Sequence, residues 1–175
     1  MAGMTLLQQA SMKGDVAEVR RLVALGVNVD ERDAKGDTAL HWAANNGHVE
    51  VMRVLVELGA DKDAKNAQEG TALHVAAQKG HVEAIKLLVQ LGVNKEAQNV
   101  QGGTAMHIAA YCGHAKAIKV LSQPGVQIDA HVANGEKPLQ LSIHFGHHQA
   151  AQVLRQLERA ARPRTHTDGH TAHDK

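Results

Sequence analysis

The chain has 175 residues, 43% hydrophobic and 21% charged, an ordinary globular composition that can bury one substantial interior and excludes an intrinsically disordered chain. Its 19 Lys and Arg against 18 Asp and Glu leave a net charge of +1, which gives no electrostatic reason to expect nucleic acid or an anionic membrane as partner. The single cysteine, Cys112, excludes an intrachain disulfide, and no apolar run approaches the roughly 18 residues of a bilayer span or the core of a signal peptide, so a soluble cytoplasmic or nuclear protein is expected.

Organisation along the chain follows from a repeat. Gly14, Gly47, Gly80, Gly113 and Gly146 are each 33 residues apart, and Leu22, Leu55, Leu88, Leu121 and Leu154 keep the interval. Thr5, Thr38, Thr71 and Thr104 keep it too, giving way to Lys137 in the last copy. Five copies are predicted, at about 5–32, 33–65, 66–98, 99–131 and 132–159, within one domain over residues 1–159. Gln8, Gln9 and Lys13 at the start, and Gln149, Gln152, Arg155, Gln156 and Arg159 on the last helix, are expected to give the end copies polar outer sides.

The second copy shows the elements of each unit. Leu40, Ala43 and Ala44 fall at helical spacing after Thr38, which is placed to cap the start, and Gly47 breaks the helix. A second helix from Val49 to Leu58 carries Val51, Met52, Val54, Leu55 and Leu58, an apolar face too broad for a surface helix, and Gly59 stops it. The polar stretch "ADKDAKNAQEG" then predicts a projecting hairpin. A helix pair of this kind cannot bury both apolar faces alone, so the core must form between copies. Glu69 stands where Gly36, Gly102 and Gly135 supply a turn glycine, which puts that hairpin's geometry in question. The closing segment, residues 160–175, is polar, without apolar periodicity, and is expected to be a disordered tail.

With "TALHWAA", "TALHVAA" and "TAMHIAA", each followed by "GH", the chain resembles the ankyrin repeat family over about 155 residues. It departs in one respect: Ala39, Ala72 and Ala105 replace the family's proline, kept only as Pro138. The resemblance implies a mainly α solenoid of five helix-turn-helix copies joined by short β-hairpin loops. It also implies a non-catalytic function: an adaptor, scaffold, inhibitor or assembly chaperone, working as a monomer that binds another protein through its concave face, with no cofactor.

Seven of the thirteen histidines belong to the repeat: His41, His74 and His107 in the motif, and His48, His81, His114 and His147 after the glycine. The resemblance assigns the motif histidine to hydrogen bonds that tie the helix start to neighbouring backbone. His144, His147 and His148 have helical spacing compatible with a metal, and His166, His170 and His173 lie in the tail, so the alternative function is a metal-binding regulatory subunit. No phosphate loop, paired-cysteine motif, nucleophile elbow or zinc-protease helix is present, and an enzyme using Cys112 is the remaining rival. Asp30, Asp63, Glu96 and Asp129 occupy the place where the family carries a hydroxylated asparagine.

Mapped by the resemblance, the concave face comprises helix-end residues and loop residues. The former are Met12, Lys13, Asn45, Asn46, Gln78, Lys79, Tyr111, Cys112, His144 and Phe145; the latter are Arg32, Ala34, Lys35, Asp37, Lys65, Ala67, Gln68, Gln98, Val100, Gln101, His131, Ala133, Asn134 and Glu136. Two of only three aromatic residues, Tyr111 and Phe145, sit at variable helix ends, and aromatic side chains dominate interface hot spots, so they are the candidate anchor. The alternative is that they pack on each other and close the end of the stack. Trp42, whose equivalents are Gln9, Val75, Ile108 and Leu141, is expected to fill the space between helices. The series Arg20, Arg53, Lys86 and Lys119 is expected on a solvated outer face, with Glu18, Glu50 and Glu83 nearby.

Overall fold

The computed structural model describes residues 3–122, 130, 132 and 135–161. Ten helices form among them: α1 (Leu6–Lys13), α2 (Val16–Ala24), α3 (Ala39–Asn46), α4 (Val49–Glu57), α5 (Ala72–Lys79), α6 (Val82–Gln90), α7 (Ala105–Tyr111), α8 (Ala115–Leu121), α9 (Pro138–His144) and α10 (His148–Ala161). The odd-numbered helices pack side by side in chain order as one layer, the even-numbered ones as a second, and consecutive helices pair across the two. None of them is long and apolar enough to cross a membrane.

The core lies between the layers and between neighbouring pairs. Leu7, Leu40, Leu73 and Met106 from the inner layer meet Leu22, Leu55, Leu88, Leu121 and Leu154 from the outer one, all but excluded from solvent. Alanines at 10, 43, 44, 76, 77, 109 and 110 have no side chain long enough to hold the inner helices apart, and all are buried. The two end faces break this rule. Leu6 is 65% exposed although its equivalents Ala39, Ala72 and Ala105 are buried by the preceding pair, and Ile143 is 51% exposed where Ala44, Ala77 and Ala110 are buried by the following one.

Two ladders of histidine bonds join the pairs. In the first, Thr38 N–H donates to His41 Nδ1 at 3.2 Å, with Thr38 Oγ1 2.9 Å from the same nitrogen, so the proton sits on Nε2, which donates to the Gly70 carbonyl at 3.0 Å. His74 repeats the arrangement with Thr71 and the Gly103 carbonyl, and His107 with Thr104 and the Ala130 carbonyl. In the second ladder, His48, His81, His114 and His147 bond through Nε2 to the carbonyls of Met12, Asn45, Gln78 and Tyr111, at 2.8–3.0 Å. Each of these rings lies against the glycine that ends the preceding inner helix. At Gly80, in left-handed conformation with φ +71°, an added Cβ would stand 2.7 Å from His114 Nδ1, so both backbone angle and space demand glycine.

Several expectations need correction. Gln8 is not part of a polar outer side: it is wholly buried and does the work of the motif histidine. Its Oε1 accepts from Thr5 N–H at 3.0 Å, and its Nε2 donates to the carbonyls of Glu31 and Asp37 at 3.1 and 2.8 Å. Among the described residues no strand forms in the loops. Each tip is closed by backbone bonds, such as Asp33 N–H to the Asp37 carbonyl, and by a side chain: Asp33, Asn66 and Asn99 accept from backbone N–H groups two and four residues ahead. Glu69 keeps the turn despite its Cβ, at φ +55°, because Asn66 Oδ1 takes Gln68 N–H and Gly70 N–H on either side of it. Adjacent loops are stitched by Ala67 N–H to the Lys35 carbonyl and Val100 N–H to the Gln68 carbonyl, both 3.0 Å. The outer face matches expectation, with Arg20, Arg53 and Lys86 exposed and paired to Glu57, Glu50 and Glu83. Gln149, Gln152, Arg155, Gln156 and Arg159 are exposed on α10.

Two substitutions test this account by urea unfolding. Gly80→Ala should destabilise by roughly 2–3 kcal/mol, from left-handed strain plus displacement of the His114 bond. Ser11, buried with an Oγ that has no partner among the described residues, stands where Ala44, Ala77 and Ala110 stand. Ser11→Ala should therefore stabilise, by about 1 kcal/mol.

Candidate protein-interaction groove

The inner helices present two residue rows along the concave side. One is the fourth helical position: Trp42, Val75, Ile108 and Leu141. All four line a chain of clefts that share Val75, Gln78, Val100, Gln101 and Ile108 and so run together as one groove. Trp42 therefore does not fill the space between helices as its neighbours' apolar character suggested. It is half-buried on the groove, where Asp33 Oδ2 holds its indole N–H at 3.0 Å. The usable signal in the sequence was the variability of that position, from Gln9 to Trp42 to Val75, since a position sealed between constant helices has little freedom in volume.

The second row is the helix ends. At the C-terminal half of the groove it forms a cleft of about 730 Å³ lined by Val100, Ile108, Val132 and Leu141 on the apolar side, with Tyr111 and Phe145 on its rim and Gln78, Gln101, Cys112 and Glu136 as polar groups. The Tyr111 and Phe145 rings meet edge to face, centroids 4.5 Å apart at 63°, and His144 stacks on Phe145 at 4.8 Å and 12°. The rings pack on each other, as one of the two alternatives has it, and still leave Tyr111 49% and Phe145 45% exposed. Val100, 56% exposed, extends the apolar surface onto the loop.

Other predicted contacts fall in different places. Lys35, Asn45 and Gln78 line a smaller cleft of about 200 Å³ beside Trp42. Asn46 is exposed and turns its amide to the Trp42 carbonyl, and Lys79 is exposed at the end of α5. Arg32 and Lys65 have a structural task that sequence reasoning missed: the Arg32 guanidinium donates to the Lys65 carbonyl one loop on, and Lys65 Nζ reaches the Gln98 carbonyl at 3.4 Å and Glu69 at 3.2 Å. The 33-residue spacing of Arg32, Lys65 and Gln98 was the available signal. His131 and Asn134 lie outside the described residues, as do Asp129 and the tail histidines. Asp30 and Asp63, at the place of the family's modified asparagine, accept from the backbone N–H of Asp61 and Asn94 in the next unit.

Among the described residues the chemistry-bearing side chains do not converge. His147 Nε2 is bonded to the Tyr111 carbonyl, and His144 faces Phe145 and Glu136, with its Nδ1 3.3 Å from Oε1. Among the described residues no three of His, Cys, Asp and Glu form a metal-holding group. Burial pushes the Cys112 thiol up from its ordinary value, opposed by the charge of Lys79, which works against a thiolate nucleophile.

Two layers of helices stacked pair on pair along the described residues define a repeat solenoid. The family model for ankyrin repeats in three copies matches residues 2–66 and 63–132, and the chain belongs to the ankyrin repeat family. No curated protein matches it. Members of this family are generally protein–protein interaction modules and typically non-catalytic.

The first histidine ladder carries a pH dependence. Burial holds His41 below the ordinary imidazole value, opposed by its bond to the Gly70 carbonyl and by Asp37; Arg32 lowers it and Asp33 raises it. Burial likewise lowers His74, opposed by the Gly103 and Ala97 backbone and assisted by Lys65 and His41. With the folded value depressed, the unfolded chain binds more protons below about pH 6.5, so stability is fully present above that pH and is lost as pH falls toward the folded value. The urea midpoint should accordingly fall between pH 7.5 and 5, and a His41→Gln, His74→Gln variant, whose amides can copy Gln8, should show a flatter pH profile than wild type.

Proposed function

We propose that this protein is a non-catalytic interaction module, a five-unit ankyrin stack over residues 1–159 followed by a tail, that binds a partner protein as a monomer through its concave groove. The fifth unit lies beyond the family match, and its support is local. Lys137 stands at the cap position with its N–H donating to Gln140 Oε1 at 2.8 Å, and His147 ties α10 to α7 with the same 36-residue reach as His48, His81 and His114. Action in cytoplasm or nucleus is part of the proposal, supported by the one free thiol and the absence of any disulfide requirement.

The observation that carries this reading is the cleft between α7 and α9. Two aromatic residues stand half-exposed at helix ends where other units hold Asn45, Gln78 and Lys79, so the fold itself does not need them there. Preorganised aromatic surface over an aliphatic floor binds at low entropic cost. The mechanism is positional: a rigid groove occupies or recruits one surface of its partner.

Affinity capture from cell extract tests it, comparing wild type with Tyr111→Ala, Phe145→Ala whose folding is checked by thermal melt. A specific partner held by wild type should be lost by the folded double variant, since hot-spot aromatics contribute about 2 kcal/mol or more each. A partner retained in full by that variant rules out this groove as its site.

A further inference from the structure

The row of inner-helix ends is electrostatically one-sided. Its ten residues include Lys13, Lys79, Tyr111 and Phe145 and no carboxylate. Among the described residues neither Lys13 nor Lys79 has a salt-bridge partner, whereas Glu69 is paired to Lys65 and the Glu136 carboxylate contacts His144. Helix C-termini ordinarily disfavour anions because free carbonyls point outward. Here the four carbonyls along the row, those of Met12, Asn45, Gln78 and Tyr111, are already taken by the second histidine ladder. That surface therefore combines two lysines without an ion-pair partner, helix ends with one carbonyl each already bonded and, at one end, an apolar cleft, with Asp37 as the carboxylate lining the groove beside Trp42.

Resting on the groove function argued above, we propose that the occupant is a linear segment of a partner protein of acidic and hydrophobic character. A bulky apolar side chain enters the cleft between Tyr111 and Phe145, and carboxylates placed to one side of it meet Lys79 and, farther along, Lys13. Neighbouring inner helices lie about 10 Å apart and an extended chain advances about 3.3 Å per residue, which sets the register. The first carboxylate falls roughly three to six residues from the apolar anchor, and the one at Lys13 about six residues beyond that. A basic or neutral apolar segment would fill the cleft and leave the lysine side of the groove unmatched.

The probe is a displayed library of random 16-residue peptides, selected on the full chain at low salt. Selection should enrich Leu, Met or an aromatic residue together with Asp or Glu on one side at the stated spacing. Synthetic copies of the winners should weaken roughly two- to fivefold for each carboxylate neutralised, and by a similar factor with Lys79→Glu, at low ionic strength and less at high. The same selection on Lys13→Glu, Lys79→Glu should switch the enrichment from acidic to basic. Lys13 and Lys79 are exposed, and a thermal melt checks that the variants fold. Apolar winners with no acidic enrichment, lost on Tyr111→Ala, Phe145→Ala, would overturn the acidic register while leaving the groove function standing. Winners that bind that aromatic variant undiminished would overturn both, and a library that yields no binder overturns the linear-segment proposal alone.

Discussion

Everything in this molecule depends on how closely one helix pair can approach the next, and the glycine–histidine contact sets that distance. Gly47, Gly80 and Gly113 each end an inner helix in left-handed conformation, and their missing side chains leave room for an imidazole from the following unit to lie flat and reach a carbonyl behind it. The alanines at the middle of the inner helices are sealed only because the approach is that close. A larger residue at the glycine would move the ring, and a moved ring would uncover the alanines. Hydrophobic burial supplies the driving force here, while hydrogen bonds specify its register.

The same closeness divides residues into those the stack uses and those it leaves over. Helical positions facing the neighbouring pair are constant and small, or are histidines with both nitrogens engaged. Positions facing the groove vary, and the variation follows a gradient: Trp42 braced by Asp33 near one end, aliphatic Val75 and Ile108 in the middle, and the Tyr111–Phe145 pair at the other. Arg32 and Lys65 show that a charged, exposed loop residue can belong to the first group, because their side chains reach the next loop's backbone.

The repeat, the helix pairs, the solvated outer face and the mutual packing of Tyr111 and Phe145 were legible in the sequence, because periodicity reports directly on which positions face a neighbour. What escaped it were substitutions of role. Gln8 looked like a polar terminus and is a buried stand-in for histidine, since an amide offers an acceptor oxygen and a donor nitrogen where a neutral imidazole offers an acceptor and a donor nitrogen. Glu69 looked like a broken turn and is held in the glycine conformation by the Asn66 side chain beneath it. Trp42 looked like core by its neighbours' chemistry, although its own size was the better guide to its place on the groove. For Gln8 and Glu69 the decisive fact is a hydrogen bond to backbone, which composition at one position does not encode.

The second histidine ladder also bears on how such a chain could change length over generations. Every interior unit contributes one ring donor to the unit before it and exposes one helix-end carbonyl to the unit after it, so a duplicated unit arrives with its donor and its acceptor already matched. Gene duplication in whole multiples of the unit would thus leave every ring donor and helix-end carbonyl of the ladder matched, whereas a gain or loss of any other size would leave one unmatched on each side of the junction. Asp15, which replaces the histidine in the first unit and caps its own helix through Glu18 N–H, shows the alternative local solution. The period is in this sense a rule of inheritance imposed by hydrogen-bond arithmetic, and the groove above it is free to diversify one unit at a time.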